Sequence, residues 1–169
     1  MEVHKLLETL HIAERLKDEL RHCDTSKGRR ESVAEHSWRI ALMALFMQDE
    51  FPELDMDKVL RMCLIHDLGE CFTGDIPSFL KSGGDEERER SALETWVASL
   101  PAPYSVELKT LYAEMDALKT DEARLYKALD KLEAVIQHNE SDIATWLPRE
   151  YELNLTYADE NVAFSDYLK

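Results

Sequence analysis

VLRMCLIHDLGECFTGDIP, Val59 to Pro77, is the stretch whose reading decides the fold. It opens as a helix with almost no polar side, because Val59, Leu60, Met62, Cys63, Leu64 and Ile65 leave only Arg61 to meet water. A helix apolar nearly all round belongs inside a packed body. His66, Asp67 and Glu70 follow directly. At about 100° per residue, a helix that runs on through them places all three on one face. Gly74 and Pro77 end it and leave Asp75 on a turn beside the same place. A buried carboxylate needs an ion pair, a proton or a metal. A His-Asp pair offers nitrogen and oxygen to a divalent ion, so a metal site is the expectation for the centre of the fold.

On the N-terminal side, Leu6, Leu10, Ala13, Leu16 and Leu20 recur at helical spacing. They predict one amphipathic helix over residues 3–22, with Arg21 and His22 at its end. Ser26, Lys27 and Gly28 then mark a loop. His4 and His11 read as ordinary surface residues. Ser32-Val33-Ala34-Glu35 has the form of a capping box and starts the next helix. His36 lies on that helix's apolar seam of Val33, Ile40, Met43, Ala44 and Met47. Taken alone, a histidine there is more often a hydrogen-bonded core residue than a ligand. Phe51-Pro52-Glu53 breaks the chain, and Asp55 or Asp57 is placed to cap the central helix.

On the C-terminal side, residues 79–84 read as a surface loop, with a mobile lid as the alternative. Helices are expected over 85–100, from Val106 to Leu118, and over 122–138, the last with a stripe of Leu125, Leu129, Leu132 and Ile136. Asp130 points off that stripe, and periodicity alone makes it a surface or boundary acid. Residues 142–169 are less regular but carry enough aromatic and aliphatic side chains to pack back on the body and end in a short helix.

The 169 residues are read as a single domain, and 5 Gly with 5 Pro are few for a loop-rich or all-β chain. No apolar run approaches the roughly 18 residues that a membrane span needs. The first residues, MEVHKLLETLH, lack the basic and apolar blocks of a secretory signal. Three irregularly spaced cysteines do not make a disulfide framework, and a cytoplasmic location follows. The net charge of −15 argues against wrapping a nucleic-acid polymer. It leaves room for a small phosphate ligand in a locally positive pocket. The apolar helices also suggest a homodimer.

His36, His66-Asp67, Glu70, Asp75 and Asp130 stand in the order and spacing of an H…HD…D signature. In this the chain resembles the HD-domain metal-dependent phosphohydrolases, and within them the 5'-deoxynucleotidase-like branch. Phrases similar to ESVAEHS, IHDLGE, TGDIP and ALDKLE occur there in the same order, and the likeness covers roughly residues 10–140. The resemblance implies an all-α, compact multi-helix HD domain over 1–169, with 145–169 packing on it. It implies one divalent ion on His36, His66, Asp67 and Asp130, a catalytic carboxylate at Glu70 and a second pocket acid at Asp75. Arg21 falls where the branch has a phosphate-binding arginine. His22 replaces the tryptophan that the branch's bacterial nucleotidases pack against the sugar, so weaker selection for deoxyribose is expected.

Two imidazoles with two carboxylates suit Mn, Co, Fe, Ni or Zn better than Ca or Mg. The expected activity is hydrolysis of phosphomonoesters, in the first place nucleoside 5'-monophosphates. The alternatives are a phosphodiesterase or another small phosphomonoester hydrolase on the same site, or a non-catalytic module that senses nucleotides. Glu70 and Asp75 favour the enzyme, since a sensor needs no proton-transfer acid beside its metal.

Overall fold

Three helices that bury whole apolar faces set the architecture: α2 (Val33–Phe46), α3 (Met56–Ile65) and α7 (Asp121–Glu140). The computed structural model describes residues 1–169, and in it these three pack on one another around Ile40, Ala44, Val59, Met62, Cys63, Leu125 and Leu129. Around them lie α1 (Val3–Ala13), α4 (Glu70–Thr73), α5 (Gly83–Ala98), α6 (Tyr104–Ala117), α8 (Glu150–Leu153) and α9 (Asp159–Val162). The only sheet is a hairpin, β1 (Leu20–Asp24) antiparallel to β2 (Arg30–Ser32). The fold is all-α, as expected. No helix is long and apolar enough to cross a membrane.

The capping signals act as read. Ser32 Oγ accepts from the Glu35 amide at 3.3 Å, and Glu35 Oε2 accepts from the Ser32 amide at 2.9 Å. Asp55, not Asp57, caps α3 by accepting from the Lys58 amide at 3.1 Å. Ser82 and Asp85 form a further capping box. It starts α5 at Gly83, so part of the segment expected as a loop is the helix's first turn.

Two helix expectations fail. The N-terminal helix stops at Ala13, passes through a 3₁₀ turn at Glu14–Lys17, and gives way to β1. The leucine spacing was compatible with a longer helix, but the backbone of 19–25 is taken by the facing strand. Val33 N donates to Glu19 O at 2.9 Å and Thr25 N to Arg29 O at 2.7 Å, around a turn that Gly28 closes with φ of 76°. Arg21 and His22 therefore stand on a strand.

The central helix also does not run through to Glu70. It ends at Ile65, and bonds from Leu68 N to Ile65 O, Glu70 N to Asp67 O, Cys71 N to Leu68 O and Phe72 N to Gly69 O wind residues 65–72 in tighter turns. Residues three apart eclipse in such turns, which brings Glu70 over Asp67. Gly69 is needed here for close approach, since a Cβ would lie 2.7 Å from Glu89 Cγ. Leu64, counted among the buried residues by pattern, is 54% exposed.

The C-terminal segment forms two short helices, α8 and α9, where one was expected. Ala158, Val162 and Leu168 join the main core.

Candidate metal centre

The four donors come from three parts of this frame. The α2 seam presents His36, the tight turns after α3 present His66 and Asp67, and α7 presents Asp130. His36 is fully buried, and Asp130 is 8% exposed despite the pattern that made it a surface acid. The cause is that α7 packs against α2, α3, α6, α9 and β1, so even its polar side is enclosed.

The four side chains converge. His36 Nε2 lies 3.3 Å from His66 Nε2 and 3.3 Å from Asp130 Oδ1. Asp67 Oδ2 is 2.9 Å from His66 Nε2 and 3.9 Å from His36 Nε2, while Asp130 Oδ1 is 3.8 Å from His66 Nε2. The other ring nitrogens decide what this means. His66 Nδ1 donates to the Cys63 carbonyl at 2.9 Å, and His36 Nδ1 meets Glu133 Oε2 at 2.5 Å. A carbonyl or carboxylate oxygen only accepts, so each Nδ1 carries a hydrogen, and a ring in its neutral form turns the Nε2 lone pair inward. Two lone pairs and two carboxylates facing one point repel unless a cation stands among them. This donor set fits a divalent ion, with Glu133 and the Cys63 carbonyl orienting the imidazoles from behind.

The charges in the site agree. Burial and Arg21 oppose a proton on His36, yet Asp130 and Glu133 outweigh them and lift its pKa to about 9. That pull toward a proton is the imbalance a metal ion relieves. Burial also works against ionised Asp67 and Asp130. Even so, the neighbouring His66 and His36 hold Asp67 well below the usual carboxylate range, and Lys127 with His36 does the same for Asp130. Glu70 goes the other way. Burial first, then the charges of Asp67 and Asp75, push it up to about 10. Its Oε2 has no hydrogen-bond partner. Burial, with Asp67 nearby, raises Asp75 as well.

In front of the donors lies a cavity of about 300 Å³. Arg21, His22, Asp67, Glu70, Asp75 and Asp130 line it, with Lys81, Lys127 and Lys131. His36 and His66 lie behind these walls. His66 also borders a larger recess of about 1020 Å³ between α5, α6 and α7. Lys127 Nζ donates to Asp130 Oδ2 at 2.8 Å, and Lys131 Nζ donates to Tyr157 Oη at 2.9 Å. Tyr157 Oη is also 3.2 Å from Ser78 Oγ, so the C-terminal segment and the loop after Pro77 close one wall together.

Arg21 Nη1 is 4.0 Å from Asp67 Oδ2, and Arg21 Nε is 3.2 Å from Glu31 Oε2. His22 lines the cavity but is not free, because its Nδ1 accepts from Arg30 Nη1 at 3.1 Å. Its Nε2 lies 3.7 Å from Glu150 Oε1, and its ring sits 6.0 Å from Phe79.

All eight residues singled out from the sequence thus meet at one place. Glu31 and Glu133, buried to 2% and 0% exposure, were not singled out. Both sit inside quoted phrases, in ESVAEHS and ALDKLE, and Glu133 is three residues from Asp130 on one helix side.

Comparison with known proteins agrees with this geometry. The family model described as HD domain matches residues 13–168, past the C-terminal end of the stretch 10–140 in which the sequence phrases were found. The bovine (Bos taurus) protein 5'-deoxynucleotidase HDDC2 is 36% identical over 112 residues, which are 65% of this chain and 54% of that protein. Its human (Homo sapiens) counterpart is 34% identical over 114 residues, 66% of this chain and 55% of that one. The chain therefore spans about half the length of these relatives. A crystal structure titled as a predicted metal-dependent phosphohydrolase from Magnetospirillum magnetotacticum MS-1 superposes with a TM-score of 0.76 at 30% identity, covering 98% of this chain and 92% of the other. With its helical frame, its converging His-His-Asp-Asp set and a family match over nearly its whole length, the chain belongs to the HD-domain family.

Proposed function

We propose that this chain is a metal-dependent phosphohydrolase acting on nucleoside 5'-monophosphates. The observation that carries the reading is the meeting of two inward Nε2 atoms with Asp67 and Asp130 beside a cavity lined by Arg21 and the buried Glu70. The names of the relatives and of the solved neighbour support the reaction class. His36, His66, Asp67 and Asp130 would hold one transition ion of the Mn, Co, Fe, Ni or Zn kind. When bound, such an ion polarises the phosphoryl group and lowers the pKa of its water.

The remaining work falls to side chains. Arg21 offers the phosphate two terminal nitrogens, a planar two-point contact that lysine cannot make. Glu70, whose pKa is pushed up by burial and by the charges of Asp67 and Asp75, is placed to give a proton to the leaving oxygen. Asp75 adds negative charge beside Glu70 and keeps that proton in place. His22, held by Arg30, is smaller than an indole and leaves space at the sugar. Three free, buried cysteines favour a reducing, cytoplasmic setting.

The test is phosphate release from deoxyribo- and ribonucleoside 5'-monophosphates, with Mn, Co, Zn and Mg supplied separately. Hydrolysis with transition ions, with little preference between the two sugars, is expected. Cleavage of phosphodiesters alone would move the substrate class. Binding of nucleotides without turnover under every metal would make the chain a sensor.

A further inference from the structure

Arg21 and Glu31 stand on facing strands, beside the paired positions Leu20 and Ser32. Glu31 is almost wholly buried, as a carboxylate of a small hairpin rarely is. Its Oε2 is 3.2 Å from Arg21 Nε and accepts from Cys23 Sγ at 3.2 Å. Glu31, His36 and Glu133 bring their ligand atoms within 4.8 Å of one another. Glu133 in turn holds His36 Nδ1 at 2.5 Å. One buried line therefore runs from the arginine on the cavity wall, through two acids, to an imidazole of the metal set.

An arginine on a two-stranded ribbon has four rotatable side-chain bonds, and nothing in the ribbon itself aims it. Asp67 lies 4.0 Å from Nη1 and would draw the guanidinium down onto the metal ligands if nothing opposed it. Glu31 stands 3.2 Å from Nε as an ion-pair partner, although that N–H makes no hydrogen bond. That leaves Nη1 and Nη2 as the edge available to an anion, in the fork geometry that phosphate matches. Truncating the partner of a buried charge also leaves that charge uncompensated.

We propose that Glu31 is a positioning residue: it holds the Arg21 guanidinium away from Asp67 and aims its terminal nitrogens at the phosphoryl group, without touching substrate or metal. This rests on the reading of Arg21 as the phosphate contact. Because Glu31 acts through Arg21, its effect vanishes when Arg21 is absent.

A double-mutant cycle tests this, with inorganic phosphate as the probe and calorimetry on Mn-loaded full-length protein. Glu31→Gln is expected to weaken phosphate binding by about tenfold, the size of a coupling between neighbouring charged groups, with metal content at the parental level. Arg21→Ala is expected to weaken it by at least as much. The Glu31→Gln/Arg21→Ala double variant should bind phosphate like Arg21→Ala alone. Glu31→Asp, which keeps the charge on a shorter arm, should recover part of the loss and serves if Glu31→Gln fails to fold. Parental affinity in Glu31→Gln, or in Glu31→Asp where that variant takes its place, would overturn the proposal. So would single losses that simply multiply in the double variant, or a loss of bound metal on changing Glu31. An intact cycle in a protein that hydrolyses no nucleotide supports the positioning role and removes the proposed activity instead.

Discussion

Glu70 stands three residues after Asp67 on turns closed by bonds between residues three apart, and the charge of Asp67 bears on its carboxyl. The imidazoles draw the Asp67 pKa down, while burial and that charge push the Glu70 pKa up. Such a split between neighbouring acids is how one site supplies both an anion and a proton donor. Replacing Glu70 by Gln preserves the volume and removes the transferable proton. Turnover should fall by about two to four orders of magnitude while the metal stays bound. Phosphate-release rates set beside elemental analysis of the same sample measure both. Hydrolysis at the parent rate would assign the proton to Asp75 or to solvent.

Among the elements, α2 does double duty, since its first turn carries both its cap and His36. Glu35 accepts from the Ser32 amide and from Arg29, and these contacts, the Arg29 pair foremost, draw its pKa down to about 2 from an ordinary 4.5. A lowered carboxylate pKa contributes stability above the unfolded value, and this is lost as pH falls from about 4.5 toward 2. The pair is largely in solvent, with Arg29 62% and Glu35 40% exposed. Its contribution is therefore about 0.5–1 kcal/mol at most. Glu35→Gln keeps the cap and loses the ion pair. Denaturant titrations should find it less stable than the parent by that amount at pH 7 and equal to it near pH 2. A gap that persists at pH 2 would mean that the pair is not its source.

For the molecule as a whole, the proposed metal set joins α2, the turns that follow α3, and α7, and these three helices also form the core. An ion that binds only the folded chain stabilises it by about 2.7 kcal/mol at a hundredfold excess over its Kd. At 2–4 °C per kcal/mol for a chain of this size, adding a chelator to the loaded protein should lower Tm by about 5–10 °C. Asp67→Ala, without a complete donor set, should melt at one temperature with or without chelator. Scanning calorimetry on the two proteins decides it, and a parent Tm indifferent to the chelator would remove the metal from the fold's support.

How much of this was legible beforehand depended on range. The local signals at Ser32, Asp55 and Gly74 were readable because capping and turn chemistry act over three or four residues, where sequence neighbours are also neighbours in space. His36, His66, Asp67, Glu70 and Asp75 were found for the same reason, each inside a short phrase. The N-terminal helix was overextended because a leucine repeat cannot report the opposing strand that takes the backbone of residues 19–25. Periodicity alone makes Asp130 a surface or boundary acid, and only the resemblance makes it a ligand, because helical periodicity describes one helix against one core and α7 is enclosed on several sides. By itself the sequence determined the inventory of chemical groups and the capped helix starts at Ser32 and Asp55, which follow from local spacing, and the fold class through helical spacing together with the resemblance. Only the tertiary structure decided that Glu31 and Glu133 stand behind Arg21 and His36, and that the two imidazoles turn Nε2 toward one point. Those facts depend on the distance between chain segments about a hundred residues apart, such as His36 and Glu133, which packing alone sets.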